Sequence, residues 1–401
     1  MSENTRFNSP YGHFELQRFP VSKENQHKQQ PLRAWDAADE YLLQWIHENN
    51  PQHIEGENSA FILNDSFGAL AVALHQWRRY WQNDSYLARR GCLDNLQRNR
   101  LDETATEQSL TLLDSLQWPE QPVDLIVIKI PKTTALLEHQ LYHLRQVIQP
   151  QTRIVAAGMV KNVHTNTLKT FERILGDTTT SLARKKARLI FCNPVPERWE
   201  SQSPYPSSYR LKPADLPEEF RQSLDFDIEN HANVFSRASL DIGTRLFLQH
   251  LPVQPNAEDI IDLGCGNGLL GIAAAKNHPD ARVHFVDESY MAVESAKSNA
   301  ERALTSTHHC HFSSGDSLTD FTSESADIIL NNPPFHQQTV VGDHLAWKMF
   351  NDAKRVLRSG GSLWVIGNRH LNYHSKLKRL FGNSSTIAAD RKFVVLRAKK
   401  R

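Results

Sequence analysis

The stretch Asn331-Asn332-Pro333-Pro334-Phe335 carries the most chemistry of any in this chain of 401 residues. Two prolines in series fix the backbone and remove two N–H donors, leaving carbonyls to face a ligand. A planar amine has two hydrogens to satisfy. The side-chain oxygen of Asn332 can accept one and the carbonyl of Pro333 the other, with Pro334 stiffening the turn, so that the nitrogen lone pair meets an approaching methyl group. Phe335 adds a flat face. Stacking of that kind contributes about 1 to 3 kcal/mol per base, which suits a nucleobase better than an aliphatic amide. His336 follows as a bystander, because an amine alkylated by a sulfonium can lose its proton to water.

The electrophile needs its own cradle, and residues 259–275 offer one. An apolar run ends at Asp262, a turn follows with Gly264, Gly266 and Gly268, and an alanine-rich helical pattern begins near Leu269. Glycines there allow positive φ and close approach of a ligand to the backbone. A dinucleotide fold would want G-x-G-x-x-G, but position 269 is leucine, so the pattern favours S-adenosylmethionine over NAD. Asp287, ending the run Val283-His284-Phe285-Val286, is placed to accept from both ribose hydroxyls. Asp316 falls where a third strand should end and can accept from the adenine amine. No metal site is expected. His308, His309 and His311 surround Cys310 in an extended stretch that points them to opposite faces, and Cys92, Cys192, Cys265 and Cys310 are too scattered for a zinc site or a disulfide framework. Cys265 itself reads as a small packing residue.

These residues must be held by a framework, and the chain writes that framework twice, with a period of roughly 200 residues. Asn64-x-Ser66-x-Gly68-x-Leu70 answers Asp262-x-Gly264-x-Gly266-x-Gly268, with Ser66 and Leu70 in place of Gly264 and Gly268. Asn83-Asp84-Ser85-Tyr86 answers Asp287-Glu288-Ser289-Tyr290, the run from Asp124 answers that from Asp327, and Lys185 to Leu189 answers Arg391 to Val395. Buried apolar strands alternating with helical patterns call for parallel sheets covered on both faces. The expected fold is α/β, two tandem Rossmann-like domains from an internal duplication, the N-terminal one degenerate. Residues 1–193 form the first, 218–401 the second, and 194–217, with six of the 19 prolines, a linker. Trp77, Tyr80 and Trp81 read as core residues at helical spacing.

Forty-six basic side chains against 45 acidic ones exclude a protein that holds nucleic acid by overall charge, so any such contact must be local. Lys129 and Lys132 stand where the second half has Asn332 and Phe335. Arg184, Lys185, Lys186 and Arg188 form one basic segment, and residues 376–401, including Arg391 and Lys392, hold nine basic side chains against one acid. Contact with RNA phosphates is the expected use. No apolar run suits a membrane span and the N-terminal residues are polar, so a cytoplasmic protein without a stable protein partner is expected.

The second half resembles the class I methyltransferases with an N-P-P-F tetrad. Nearly the whole chain, including His231-Ala-Asn-Val-Phe-Ser-Arg237, Leu240-Asp241-x-Gly243 and the run from Asn332 to Gln338, is similar to the bacterial 23S rRNA guanine-N2 methyltransferases. The resemblance implies methyl transfer from S-adenosylmethionine to a guanine N2 in 23S rRNA, guanine 1835 by likeness, with a first domain that no longer catalyses. It adds Phe235, Ser236, Asp241 and Gly243 to the cofactor residues, and places Asn332 at the cofactor as well as at the amine. A longer stretch at 21–30 and a longer linker depart from the pattern without touching a site residue. Guanine-N2 methylation of 16S rRNA, adenine-N6 or glutamine methylation, and a non-catalytic RNA-binding assembly factor are the rival readings.

Overall fold

The computed structural model describes residues 5–20, 32–49, 58–101, 109–199, 201–334 and 340–401, and divides into two compact units at Pro204/Tyr205. The first begins with a hairpin, β1 (Arg6–Ser9) and β2 (Gly12–Glu15), and a helix α1 (Ala37–Asn49). There follow β3 (Ser59–Leu63), α2 (Ala69–Ala73), β4 (Arg78–Asn83), α3 (Tyr86–Arg98), β5 (Leu110–Asp114), β6 (Leu125–Lys129), α4 (Thr134–Leu144), β7 (Arg153–Met159), α5 (Thr165–Ile174), β8 (Gly176–Thr180) and β9 (Ala187–Pro194). Its sheet runs β5-β4-β3-β6-β7-β9-β8, parallel through β7, with β9 antiparallel to both neighbours.

The second unit opens on another hairpin, β10 (Ser207–Arg210) and β11 (Asp227–Asn230), and a short helix α6 (Ile242–Leu248). It repeats the series as β12 (Asp259–Leu263), α7 (Leu269–Asn277), β13 (Arg282–Asp287), α8 (Tyr290–Ala303), β14 (Cys310–Ser314), β15 (Ala326–Asn331), α9 (Val340–Val356), β16 (Leu357–Asn368), α10 (Tyr373–Phe381), β17 (Ser385–Ala389) and β18 (Phe393–Lys399). The strand order, β14-β13-β12-β15-β16-β18-β17, is that of the first unit. Each sheet is doubly wound because its central strands are apolar on both sides. Ile62 and Val127 enter one core of the first unit while Phe61, Leu63, Ile126 and Ile128 enter the other. Ile260 and Ile328, against Ile261 and Ile329, divide in the same way in the second.

The turn chemistry recurs with the strands. Ser85 caps α3 by accepting from Ala88 N at 3.2 Å, and Ser289 caps α8 by accepting from Ala292 N at 3.1 Å. At the foot of each sheet a carboxylate binds the neighbouring strand: Asp124 accepts from Ser59 N at 2.9 Å, Asp327 from Asp259 N at 3.0 Å.

Three expectations need correction. The glycine turns match with Gly68 opposite Gly268, since both have φ 81 and immediately precede a helix. Asn64 and Ser66 therefore replace Gly264 and Gly266, while Leu70 lies inside α2; Asn64 holds φ 64, a left-handed conformation that asparagine tolerates. Residues 194–217 are shared between the units instead of running free, because their apolar residues bury. Trp199 Nε1 donates to Leu175 O at 2.8 Å on one side, and Leu211 and Leu216 enter the second core on the other. Trp77 and Trp81 are core residues, but Tyr80 and Trp81 lie on strand β4, so Tyr80 faces the opposite core from Trp81. No helix among the described residues is long and apolar enough to cross a membrane.

Candidate active site

In the second unit β12 pairs with β13 on one side and β15 on the other, so the chain order reverses there. Open α/β sheets bind ligands outside the strand ends at such a point. Two loops leave it, the glycine turn after β12 and the proline turn after β15. Gly264, Gly266 and Gly268 have φ 74, 55 and 81. A Cβ on Gly268 would stand 2.8 Å from that of Ala296, so this glycine closes α7 against α8. Around a Cβ on Gly266 nothing lies within 4 Å among the described residues, which leave open space over the turn. A Cβ on Gly264 would lie 3.5 Å from the carbonyl oxygen of Asn332, so the two loops are in direct contact.

Asn331 fastens the proline turn, donating through Nδ2 to Leu263 O at 2.8 Å. Asn332 Nδ2 donates to Thr244 Oγ1 at 3.2 Å, and its Oδ1 is buried with no partner among the described residues. A buried acceptor left unpaired costs about 1 to 3 kcal/mol, so this oxygen is free to take a donor as far as the described residues go. Pro333 is buried and Pro334 exposed; Phe335 and His336 lie outside the described residues.

The acids divide by environment. Asp287 accepts from Gly266 N at 3.0 Å and from Ser289 N at 3.0 Å, and so ties the glycine turn to the next strand end. Asp316 is nearly buried, with Lys348 Nζ 3.6 Å from its Oδ2; burial raises its pKa and the ammonium opposes the rise. Asp262 is wholly inside, accepting from Gly271 N at 2.8 Å, and burial pushes its pKa up to about 8 with Asp287 adding to the rise. Its Oδ1 has no partner among the described residues.

Upstream, Asp241 caps α6 by accepting from Thr244 N at 2.9 Å. Gly243 sits in tight space behind it, since a Cβ would stand 3.0 Å from Asp241 Oδ2 and 3.3 Å from the Phe393 ring and would press on both. Phe235 is half exposed, and Ser236 has φ 57 with its hydroxyl donating to Ser239 O at 2.8 Å. Their segment is linked to the glycine turn through Asn230, whose Oδ1 accepts from Asn267 Nδ2 at 3.1 Å. Thr244 and Asn230 are not among the residues the sequence singles out. Thr244 had a signal, the Asp-x-x-Thr spacing of a helix cap; Asn230 had none.

The first unit closes the equivalent site. Lys129, expected on RNA, occupies the position of Asn332, but its Nζ lies 2.8 Å from Asp36 and 2.6 Å from Asp39, inside the protein. Its charge is spent internally, and the two carboxylates raise its pKa against the effect of burial. Asp65, at the position of Cys265, accepts from the backbone N–H groups of Gly68, Ala69, Leu70 and Ala71 at 3.0 to 3.1 Å. A carboxylate thus sits over the start of α2, where an anion is favoured. Lys132, Arg184, Lys185 and Lys186 are exposed, Lys185 with Glu40 2.8 Å away, and Arg188 is half-buried. Arg391 and Lys392 are exposed on the second unit.

Strand order and paired strand-end loops define a duplicated class I methyltransferase fold, with the strand-end loops of the first copy filled by Asp65 and Lys129. The first half matches the RLMG N-terminal domain over residues 4–196 and the second the methyltransferase small domain over 225–397. The chain is 47% identical over 396 residues to the ribosomal RNA large subunit methyltransferase G of Streptomyces griseus, covering 99% of this chain and 100% of the relative. It is 48% identical to the proteins of that name from Aeromonas salmonicida, covering 93% and 94% of the two chains, and Klebsiella pneumoniae, covering 96% of each. It belongs to the ribosomal RNA large subunit methyltransferase G family. Among solved structures, the 16S rRNA N2 G1207 methyltransferase of T. thermophilus, in complex with AdoMet and guanosine, superposes with a TM-score of 0.70 at 21% identity, covering 99% of this chain and 98% of the other.

Proposed function

We propose that this chain transfers the methyl group of S-adenosylmethionine to the exocyclic N2 of a guanine in 23S rRNA, guanine 1835 by resemblance. The observation that carries the reading is the buried Oδ1 of Asn332, unpartnered among the described residues, at the edge of the glycine turn. Gly266 gives a ligand room against the backbone among the described residues, and Asp287 lines the same turn, so the residues fit S-adenosylmethionine. Asp262, Gly264, Gly268, Asp316, Asp241, Gly243, Phe235 and Ser236 complete its surroundings. The cofactor supplies an electrophilic methyl group. The chain supplies orientation, because the guanine amine is a poor nucleophile whose lone pair is delocalised into the ring. Asn332 Oδ1 and the Pro333 carbonyl accept its two hydrogens, Pro334 keeps the turn rigid, and Phe335 stacks the base. The proton lost after transfer passes to water. Such a pose requires the target base to be flipped or in a loop. The relatives' names, which specify the large ribosomal subunit, support 23S over 16S rRNA as substrate.

The first unit, together with Arg391 and Lys392, holds RNA in this scheme, through Lys132, Arg184, Lys185, Lys186 and Arg188. Incubating the purified protein with labelled cofactor and unmodified 23S and 16S rRNA, then locating the label by mass spectrometry of digests, tests the whole assignment. Label on a guanine N2 of 23S rRNA is expected; label on adenine N6, on 16S rRNA or on neither RNA overturns it.

A further inference from the structure

Asn332 serves the proposed chemistry only if its carbonyl, not its NH₂, faces the substrate, and an isolated side-chain amide has no preference between the two. We propose that Thr244 makes that choice, acting as a positioning residue through the relay Asp241–Thr244–Asn332; this rests on the amine-holding role of Asn332. The geometry is stepwise. Asp241 Oδ2 accepts from Thr244 N at 2.9 Å and lies 3.4 Å from Thr244 Oγ1. A carboxylate only accepts, so the single hydroxyl proton of Thr244 is drawn to Asp241 and a lone pair is turned toward Asn332. Asn332 Nδ2 lies 3.2 Å from that oxygen and fills it as a donor. Turning the amide over would set Asn332 Oδ1 against the threonine oxygen, and relieving the clash would forfeit the hydroxyl's bond to Asp241. The NH₂ is thereby consumed inside the protein, and Oδ1 is the atom left over.

The support for Thr244 is rigid. Gly243 is packed so closely among Asp241, Phe393 and Ile366 that a Cβ would have all three within 3.0 to 3.4 Å, which fixes the start of α6. Asn331 pins the other end of the relay to Leu263 O. The amide therefore lies between two anchored elements, a helix cap and a strand end.

A double-mutant cycle tests the relay, with single-turnover methyl transfer and cofactor affinity as separate readouts. Thr244→Val keeps the shape and removes the acceptor. It should lower the transfer rate roughly 10- to 100-fold by misorienting one group in the site. Cofactor Kd should stay within about twofold, and Thr244→Ser should keep most of the wild-type rate. In an Asn332→Ala background the same valine should add no further loss, because Thr244 acts only through Asn332. Losses that multiply across the two positions, or an unaltered rate in Thr244→Val, overturn the proposal. Should the valine variant fail to fold, Thr244→Ala takes its place with the same outcomes. The cycle is read on whichever planar amine the wild type methylates, so an error in the acceptor base and an error in the relay give different results.

Discussion

Lys129 Nζ lies 2.6 Å from Oδ1 of Asp39, and this ion pair occupies the strand-end position that Asn332 holds in the second unit. The pair is largely buried, and burial lifts the Asp39 pKa to about 6 against the pull of the ammonium. Removing one partner of a buried pair strands the other, at a cost of about 3 to 5 kcal/mol. Lys129→Met should therefore lower the urea midpoint of the first unit while leaving RNA affinity unchanged. A weakened RNA complex with an unaltered midpoint would return Lys129 to the RNA surface.

Asn332→Ala removes the oriented acceptor. By analogy with the removal of one placed polar group, transfer should slow roughly 10²- to 10³-fold, with little change in cofactor affinity. Single-turnover measurement with saturating cofactor and RNA isolates the step. An undiminished rate would remove the assigned role.

The exposed cations make a distinct claim. Changing Lys132, Lys186, Arg391 and Lys392 together to Glu should weaken RNA binding, and the slope of log K against log salt should fall by about one for each phosphate no longer neutralised. Filter binding across a salt series reads both quantities. Equal slopes for variant and wild type would mean that none of the four touches the backbone.

Asp262 predicts a pH dependence. Its pKa is about 8 in the folded chain, above the ordinary carboxylate value of 3.8, so between those values the unfolded chain releases a proton that the folded chain keeps. The stability from this site is fully present below the lower value and is lost as pH rises toward 8. Melting curves from pH 5 to 8 should show Asp262→Asn losing less stability than wild type over that range. Parallel curves would place an ordinary carboxylate there.

Much of this is legible in the residues. The five-residue strands of β3 and β12 are apolar enough to be placed inside a parallel sheet, and the Ser85 and Ser289 caps fix where the copies align. The misaligned glycine turn shows the limit. Counting from the acid at Asp262 pairs Gly68 with Gly266, whereas φ at the helix start decides the match, and φ is not written in a sequence that also allows asparagine to turn left-handed. Lys129 misleads for a related reason. A lysine at a ligand-binding strand end reads as a surface charge until its partners are known, and Asp36 and Asp39 lie some 90 positions away along the chain. The hairpin β10–β11 is hidden by prolines whose apolar neighbours, Leu211 and Leu216, turn a linker composition into core.

Asp65 gives the N-terminal copy a permanent tenant. Four amides that a visiting molecule could have used are already engaged by the chain's own oxygens, so this half has no need of any metabolite to hold its loop in shape. A molecule that binds only the folded C-terminal half would steady that half by mass action and leave this one as it is.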